Sequence, residues 1–388
     1  MLNNKELYCN NLISFIRDIY KTKGVIPLHE PLFNGNEKKY VLSAINSSFV
    51  SSVGKYVNEL ESRIAKFTGS KYAIATCNGT SALHISLIIN GCDTNTEILT
   101  QSLSFVATSN AIMYCGAKPI FIDVERDTLG MSPECLQSFL EENCEIRNDG
   151  KCWNKRTNRI ISACLPMHTY GFMLRINEIK KICKSYRIPL IEDSAESMGS
   201  YLDKQHSGTF GAVSAFSFNG NKIMTTGGGG MIITDNKIYA KTAKHLTTTA
   251  KISHEWNFIH DSVGYNYRMP NLNAALGLAQ LEQMKNFIKK KKKISTMYKK
   301  FADQNNLKMI SGIKNTKPNN WLNILLAKDL KQRDLILRET HNHNILTRPA
   351  WEPLHLLKMY KNCQKQRLKN TMWLYKRIVC LPSSVKDV

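Results

Sequence analysis

The chain has 388 residues, 43% of them hydrophobic, with 53 Lys and Arg against 31 Asp and Glu, a formal charge of +22. That length supports one large core with a smaller satellite, and no apolar run reaches the roughly 18 residues that span a bilayer. Eleven cysteines without a CxxC pair argue against a metal cluster and read as reduced thiols of a cytoplasmic protein.

The N-terminal stretch, Met1 to Arg17, sets Lys5, Glu6 and Arg17 among short apolar pieces and lacks the small-residue cleavage pattern of a secretory signal. From residue 71 onward, runs of strand character alternate with runs of helix character. The strand candidates are KYAIAT (71–76), TEILTQ (96–101), KPIFIDV (118–124), RIISACLPM (159–167), IPLIED (188–193), AVSAFSF (212–218) and GMIITD (230–235). Most are β-branched or aromatic and bounded by Gly, Pro, Asn or Asp. Helix-like segments such as SALHISLIIN and SPECLQSFLEEN separate the first five, the alternation of an α/β fold with a mostly parallel seven-stranded sheet between helices. Only a glycine-rich turn separates the last two, which predicts a local antiparallel pair.

Past residue 280 the periodic segment AALGLAQLEQMKNFI runs into Lys289 to Lys293, and the pattern predicts a helix on which this run is either a face presented to solvent or a specific anion site. Residues 30–285 are expected to form the large domain. Residues 286–388 form a smaller α+β domain, with residues 1–29 packed alongside. The net charge favours an anionic partner such as a nucleic acid, a membrane surface or a phosphorylated small molecule. No helix-turn-helix and no basic-aromatic stripe is present, so nucleic acid is not the expected partner.

In open α/β sheets ligands collect beyond the carboxyl ends of the strands. After KYAIAT come Asn78, Gly79, Thr80 and Ser81 at the start of a helical run, an arrangement that either caps a helix or binds a phosphate. TQSLSF ends on Phe105, a core aromatic or a ring that stacks on a flat ligand. IPLIED ends on Asp193, followed closely by Glu196; an acid there serves as a cap, an ion-pair partner, or a counter-charge for a protonated ring nitrogen. The strand AVSAFSF carries Ser217 into a turn that presents one lysine, Lys222. An amine held away from water there can add to an aldehyde carbon, whereas a lysine taken singly is more often a surface charge.

Taken together, this order of phosphate cup, aromatic, strand-end Asp and then lysine resembles the fold-type-I pyridoxal-5'-phosphate (PLP) enzymes. More narrowly, IEDSAESMGS, FSFNGNK and GYNYRMPNLNAALGLAQL resemble the DegT-type nucleotide-sugar aminotransferases, and the resemblance covers nearly the whole chain. It implies PLP as cofactor, carried by Lys222 as the catalytic amine. Asp193 would partner the pyridine nitrogen, and Glu196 would lie near the phenolic oxygen, where relatives place Gln, His or Glu. Thr80, Ser81 and Ser217 would bind the phosphate, and Phe105 would stack on the ring. Asn266, in GYNYRM, would reach the cofactor of a neighbouring subunit, which implies a homodimer with shared active sites. No metal is implied.

VSSVGKYVNELE, DTLGMSPE, FNGNKIMTTGGGGM and RPAWEPLH further resemble the 4-aminotransferases of the legionaminic acid and bacillosamine pathways. These imply L-glutamate as donor and a UDP- or GDP-linked keto-sugar nucleotide as acceptor, with Arg348 and His355 as candidate substrate contacts. Two alternatives share the fold. A sugar dehydratase replaces the catalytic lysine by histidine, against Lys222 here, and a non-catalytic regulator would carry an added binding element.

Overall fold

The computed structural model describes residues 4–386. Residues 1–3, 387 and 388 lie outside the description, as do the side chains of residues 4–8. Each of the seven strand candidates forms a strand: β1 Tyr72–Thr76, β2 Thr96–Gln101, β3 Lys118–Ile122, β4 Arg159–Leu165, β5 Ile191–Asp193, β6 Val213–Ser217 and β7 Gly230–Thr234. The first half of the sheet runs β1-β7-β6-β5, and the second pairs β4 with β2 and β2 with β3. Parallel bridges at Cys164–Leu190 and Met167–Asp193 join β4 to β5, so the layer is continuous.

β7 is antiparallel to both β1 and β6, while the β5–β6, β2–β3 and β2–β4 pairs are parallel. A mostly parallel sheet is buried on both faces, and such strands lose the polar alternation of an exposed sheet. β2 and β7 are accordingly buried at every residue. The helix Gly79–Ile88 is buried on nearly all sides. Its residues share an apolar cluster with the strands and with helices Val106–Tyr114 and Lys237–Thr247.

Helix Asn271–Gln304 runs unbroken for 34 residues across position 285, so the chain leaves the large sheet within one helix. Beyond it, Lys308–Met309, Asn323–Leu326, Ile378–Leu381 and Arg348–Pro349 form a small antiparallel sheet. Leu12, Ile16 and Ile19 of the N-terminal helix Asn4–Tyr20 share one apolar cluster with Ile294, Tyr298, Leu325, Ile336 and Val379.

The lysine run departs from expectation at one position. Lys289, Lys292 and Lys293 are exposed or nearly so, but Lys291 is fully buried. Its ammonium donates to the carbonyls of Trp321 (3.1 Å) and Ser383. Burial drives its pKa well below the ordinary lysine value. A 3.6-residue period turns one member of any five-residue run toward the core, and these two carbonyls give that member acceptors there. All eleven cysteines are free thiols. Among the described residues no helix is long and apolar enough to cross a membrane.

Candidate active site

At the carboxyl ends of β1, β5 and β6 lies a cavity of about 300 Å³, lined among others by Gly79, Thr80, Phe105, Asp193, Glu196, Ser217 and Lys222. Each reaches it for a local reason. Asn78 caps the helix Gly79–Ile88, its side-chain oxygen accepting from the Ser81 N–H (2.8 Å). The first N–H groups of a helix have no partner within it, so those of Gly79 and Thr80, both on the cavity wall, are left as donors to an anion. A Cβ on Gly79 would stand 2.7 Å from the Ser217 Cβ, so only glycine lets the turn and the end of β6 approach this closely.

β5 places two adjacent acids on opposite faces, as strand geometry requires. Glu192 faces away from the cavity. There it accepts from the N–H groups of Gly208, Phe210 and Gly211 (2.7–2.9 Å) and pairs with His168 Nε2 (2.9 Å). Burial pushes its carboxyl up, but His168 and these N–H groups outweigh that and leave it below the usual range. Asp193 faces the cavity and is 2% exposed. Its carboxylate accepts from the Thr108 hydroxyl (2.7 Å) and the Ala195 N–H (3.1 Å). Burial raises its pKa, and Thr108, Ala195 and the charge of Lys222 only partly reverse the effect. A cation against this carboxylate would favour its ionised form.

Lys222 stands in a compact loop. The Phe218 N–H donates to the Gly229 carbonyl (2.8 Å) and Thr226 returns to the Phe218 carbonyl (2.9 Å), while the Lys222 N–H closes a turn on Asn219. The loop therefore holds the side chain inward, 12% exposed, with Nζ 3.0 Å from Glu196 Oε1 and 4.4 Å from the centroid of the Trp321 ring. Glu196 is itself buried, which raises its pKa against the opposing pull of Lys222. Phe105, half-exposed, edges the cavity mouth 6.1 Å from Trp351 in a T-shaped contact.

Not every expected residue faces this cavity. The Ser81 hydroxyl pairs instead with Cys77 Sγ (3.3 Å). Asn266 is exposed and lies off its own chain's cavity, bridged to Thr248. His355 lies on neither of the cavities described here: its Nδ1 and backbone N–H both meet the Ser102 hydroxyl (2.7 and 3.1 Å), tying the C-terminal part to the end of β2. Arg348 lines an adjoining cavity of about 420 Å³ that shares Asn221, Trp321 and Trp351 with the first. Sequence reasoning passed over Thr108, Tyr170, Trp321 and Trp351. The two tryptophans arrive from the distant C-terminal part, so no signal local to the strand ends marked them.

This lining fits a flat, phosphorylated, nitrogen-containing ring: anion donors at one end, a buried carboxylate at another, an aromatic at the mouth, and one amine within reach. It defines the class of lysine-bearing PLP enzymes. The chain belongs to the DegT/DnrJ/EryC1/StrS aminotransferase family, matched over residues 32–386, and is a PLP-dependent aminotransferase. EpsN of Bacillus subtilis (strain 168), pyridoxal phosphate-dependent by name, is 35% identical over 369 residues, 92% of this chain and 90% of its own. The GDP-perosamine synthase of Escherichia coli O157:H7 is 35% identical over 336 residues, 86% of this chain and 87% of its own. The structure of Helicobacter pylori PseC, an aminotransferase of pseudoaminic acid biosynthesis, superposes with a TM-score of 0.82 at 25% identity, covering 92% of this chain and 93% of its own.

Proposed function

We propose that the chain transfers an amino group from L-glutamate to C4 of a UDP- or GDP-linked 4-keto-6-deoxy-(N-acetyl)hexosamine. The observation that carries this reading is the meeting of Lys222, Asp193 and Glu196 in one cavity beside a helix N-terminus. In it the Gly79 and Thr80 N–H groups, with the Thr80 and Ser217 hydroxyls, bind the cofactor phosphate. Asp193 holds a proton on the ring nitrogen, and Phe105 covers the ring. When bound, PLP supplies the electron sink for charge that develops at the donor's α-carbon. Lys222 Nζ carries the proton that leaves that carbon, and the tryptophans shield it from water. The adjoining cavity, with Arg348 on its wall, receives the sugar nucleotide. The acceptor class is supported by the GDP-perosamine synthase relative and by a net charge suited to a diphosphate.

A panel of UDP- and GDP-linked 4-keto sugars, assayed with glutamate, tests the reading. Amino sugar should form from at least one, with kcat/KM roughly a hundredfold or more above that of the free keto sugar. That ratio corresponds to losing about two charge-assisted hydrogen bonds at ~1.5–3 kcal/mol each. A PLP-loaded enzyme that aminates free sugars equally well would refute a nucleotide-sugar substrate.

The same reading makes the protein a homodimer with shared sites. Asn266 is exposed and does not line its own chain's cavity, and the nearby hairpin Lys251–Ile252/Ile259–His260 leaves Trp256 and Phe258 largely exposed, an apolar surface of the kind that partners cover. Mixing Lys222→Ala subunits with Asn266→Ala subunits places both defects in one site and neither in the other. Verified mixed dimers should then show roughly half of a wild-type dimer's activity. If Asn266→Ala alone is impaired and mixed dimers stay inactive, each site is built from one chain.

A further inference from the structure

The placement of Glu196 is more demanding than contact with a cofactor oxygen requires. Its Oε2 accepts from the Tyr170 N–H (2.8 Å) and its Oε1 meets Lys222 Nζ (3.0 Å). To aim that N–H, Tyr170 adopts φ 56°, ψ 18° while fully buried, a left-handed conformation that bulky residues avoid. Gly171 follows at φ 88°, where a Cβ would stand 2.1 Å from Asn319 Oδ1. The Asn319 amide in turn donates to the Glu196 carbonyl (2.8 Å) and the Met198 carbonyl (3.0 Å). Backbone and side chain of Glu196 are thus both held. An amide in its place could accept from Tyr170, but its own N–H₂ would then face the lysine. Only a group that accepts at both oxygens satisfies both contacts.

We propose that Glu196 is a catalytic proton acceptor for Lys222, taking the proton that the ε-ammonium must shed before its nitrogen can attack a carbonyl carbon. The assignment rests on the PLP reading above. The proton passes from Nζ to Oε1, so an ammonium–carboxylate pair becomes a neutral amine and a neutral carboxylic acid. The amine's lone pair then attacks the carbonyl carbon, a C–N bond forms, and the carbonyl oxygen leaves as water. The departing oxygen takes two protons, one from the attacking nitrogen and one from the acid, and the nitrogen's last proton passes to the carboxylate so regenerated, leaving a neutral C=N bond. The geometry makes the exchange feasible, because Nζ stands 3.0 Å from Oε1 and the carboxylate, 1% exposed, has almost no water to stabilise its charge. The same burial raises the proton affinity of Glu196.

The test measures covalent capture of PLP by stopped-flow absorbance, with the attached residue fixed by borohydride and identified by mass spectrometry. At pH 7.5, Glu196→Ala and Glu196→Gln should still bind PLP but attach it to Lys222 at least tenfold more slowly than wild type. For Glu196→Ala, sodium formate should restore the rate in proportion to its concentration, and isosteric formamide should not. Gln keeps the Tyr170 contact, so its slow capture would separate proton transfer from folding. Capture by Glu196→Gln at the wild-type rate, or equal rescue of Glu196→Ala by formate and formamide, overturns the proposal while leaving Lys222 as the site of attachment. Attachment of PLP elsewhere in the wild-type chain would instead overturn the reading on which it rests.

Discussion

Replacing Lys222 by Ala removes amino transfer, with kcat falling on the order of 10⁴-fold or more, because among the described residues the cavity wall offers no second amine to take over the proton. The fold should survive. The side chain packs against Trp321 and pairs with Glu196, and Glu196, left without a cation in a buried site, takes up a proton rather than remaining charged. The circular dichroism spectrum should therefore match wild type while activity disappears. Reduction of the wild-type protein with borohydride in the presence of PLP should fix the cofactor on the peptide that contains Lys222 alone. Recovery of the label on another lysine, Lys55 for instance, would remove the basis of the assignment.

Asp193→Asn should bind PLP and lose most turnover, on the order of 10²–10³-fold in kcat, the usual cost of deleting one preorganised electrostatic contact. The substitution is nearly isosteric: the asparagine carbonyl can accept from the Ala195 N–H, and its amide can donate to the Thr108 hydroxyl oxygen. What it lacks is the negative charge that keeps a ring nitrogen protonated. Melting temperature should therefore change little, whereas turnover collapses. A variant with near wild-type activity would show that Asp193 only caps the turn into Ala195. Asp193→Glu offers a further comparison. It restores charge without restoring position, so partial recovery would assign the loss to charge and absence of recovery to geometry.

Much of this molecule was legible along the chain. The seven strands were visible because β-branched and aromatic runs bounded by turn formers are local signals, and the glycine-rich link between β6 and β7 foretold their antiparallel pairing. The positions of Asp193 and Lys222 followed from a second local fact: Asp193 ends β5 and Lys222 sits in the loop that follows β6, and in a mostly parallel sheet strand ends point to one edge. Other features depend on packing between segments far apart in sequence. Which of the adjacent acids Glu192 and Asp193 faces the cavity was decided by what covers each side of β5, the 208–211 turn on one and Thr108 on the other. Lys291 looked like any member of a basic run until the carbonyls of Trp321 and Ser383 gave it a buried partner. His355 carried the right chemistry, yet Ser102, from the end of β2, engages its side chain. Trp321 crosses about a hundred residues to cover Lys222 and donate to the Asn221 carbonyl. Local sequence determined where strands begin and end and which groups reach the sheet edge, because propensity and turn chemistry act over a few residues. Tertiary structure decided which of those groups remain free for chemistry, because a hydrogen-bonding side chain satisfied by a distant neighbour is no longer available to a ligand.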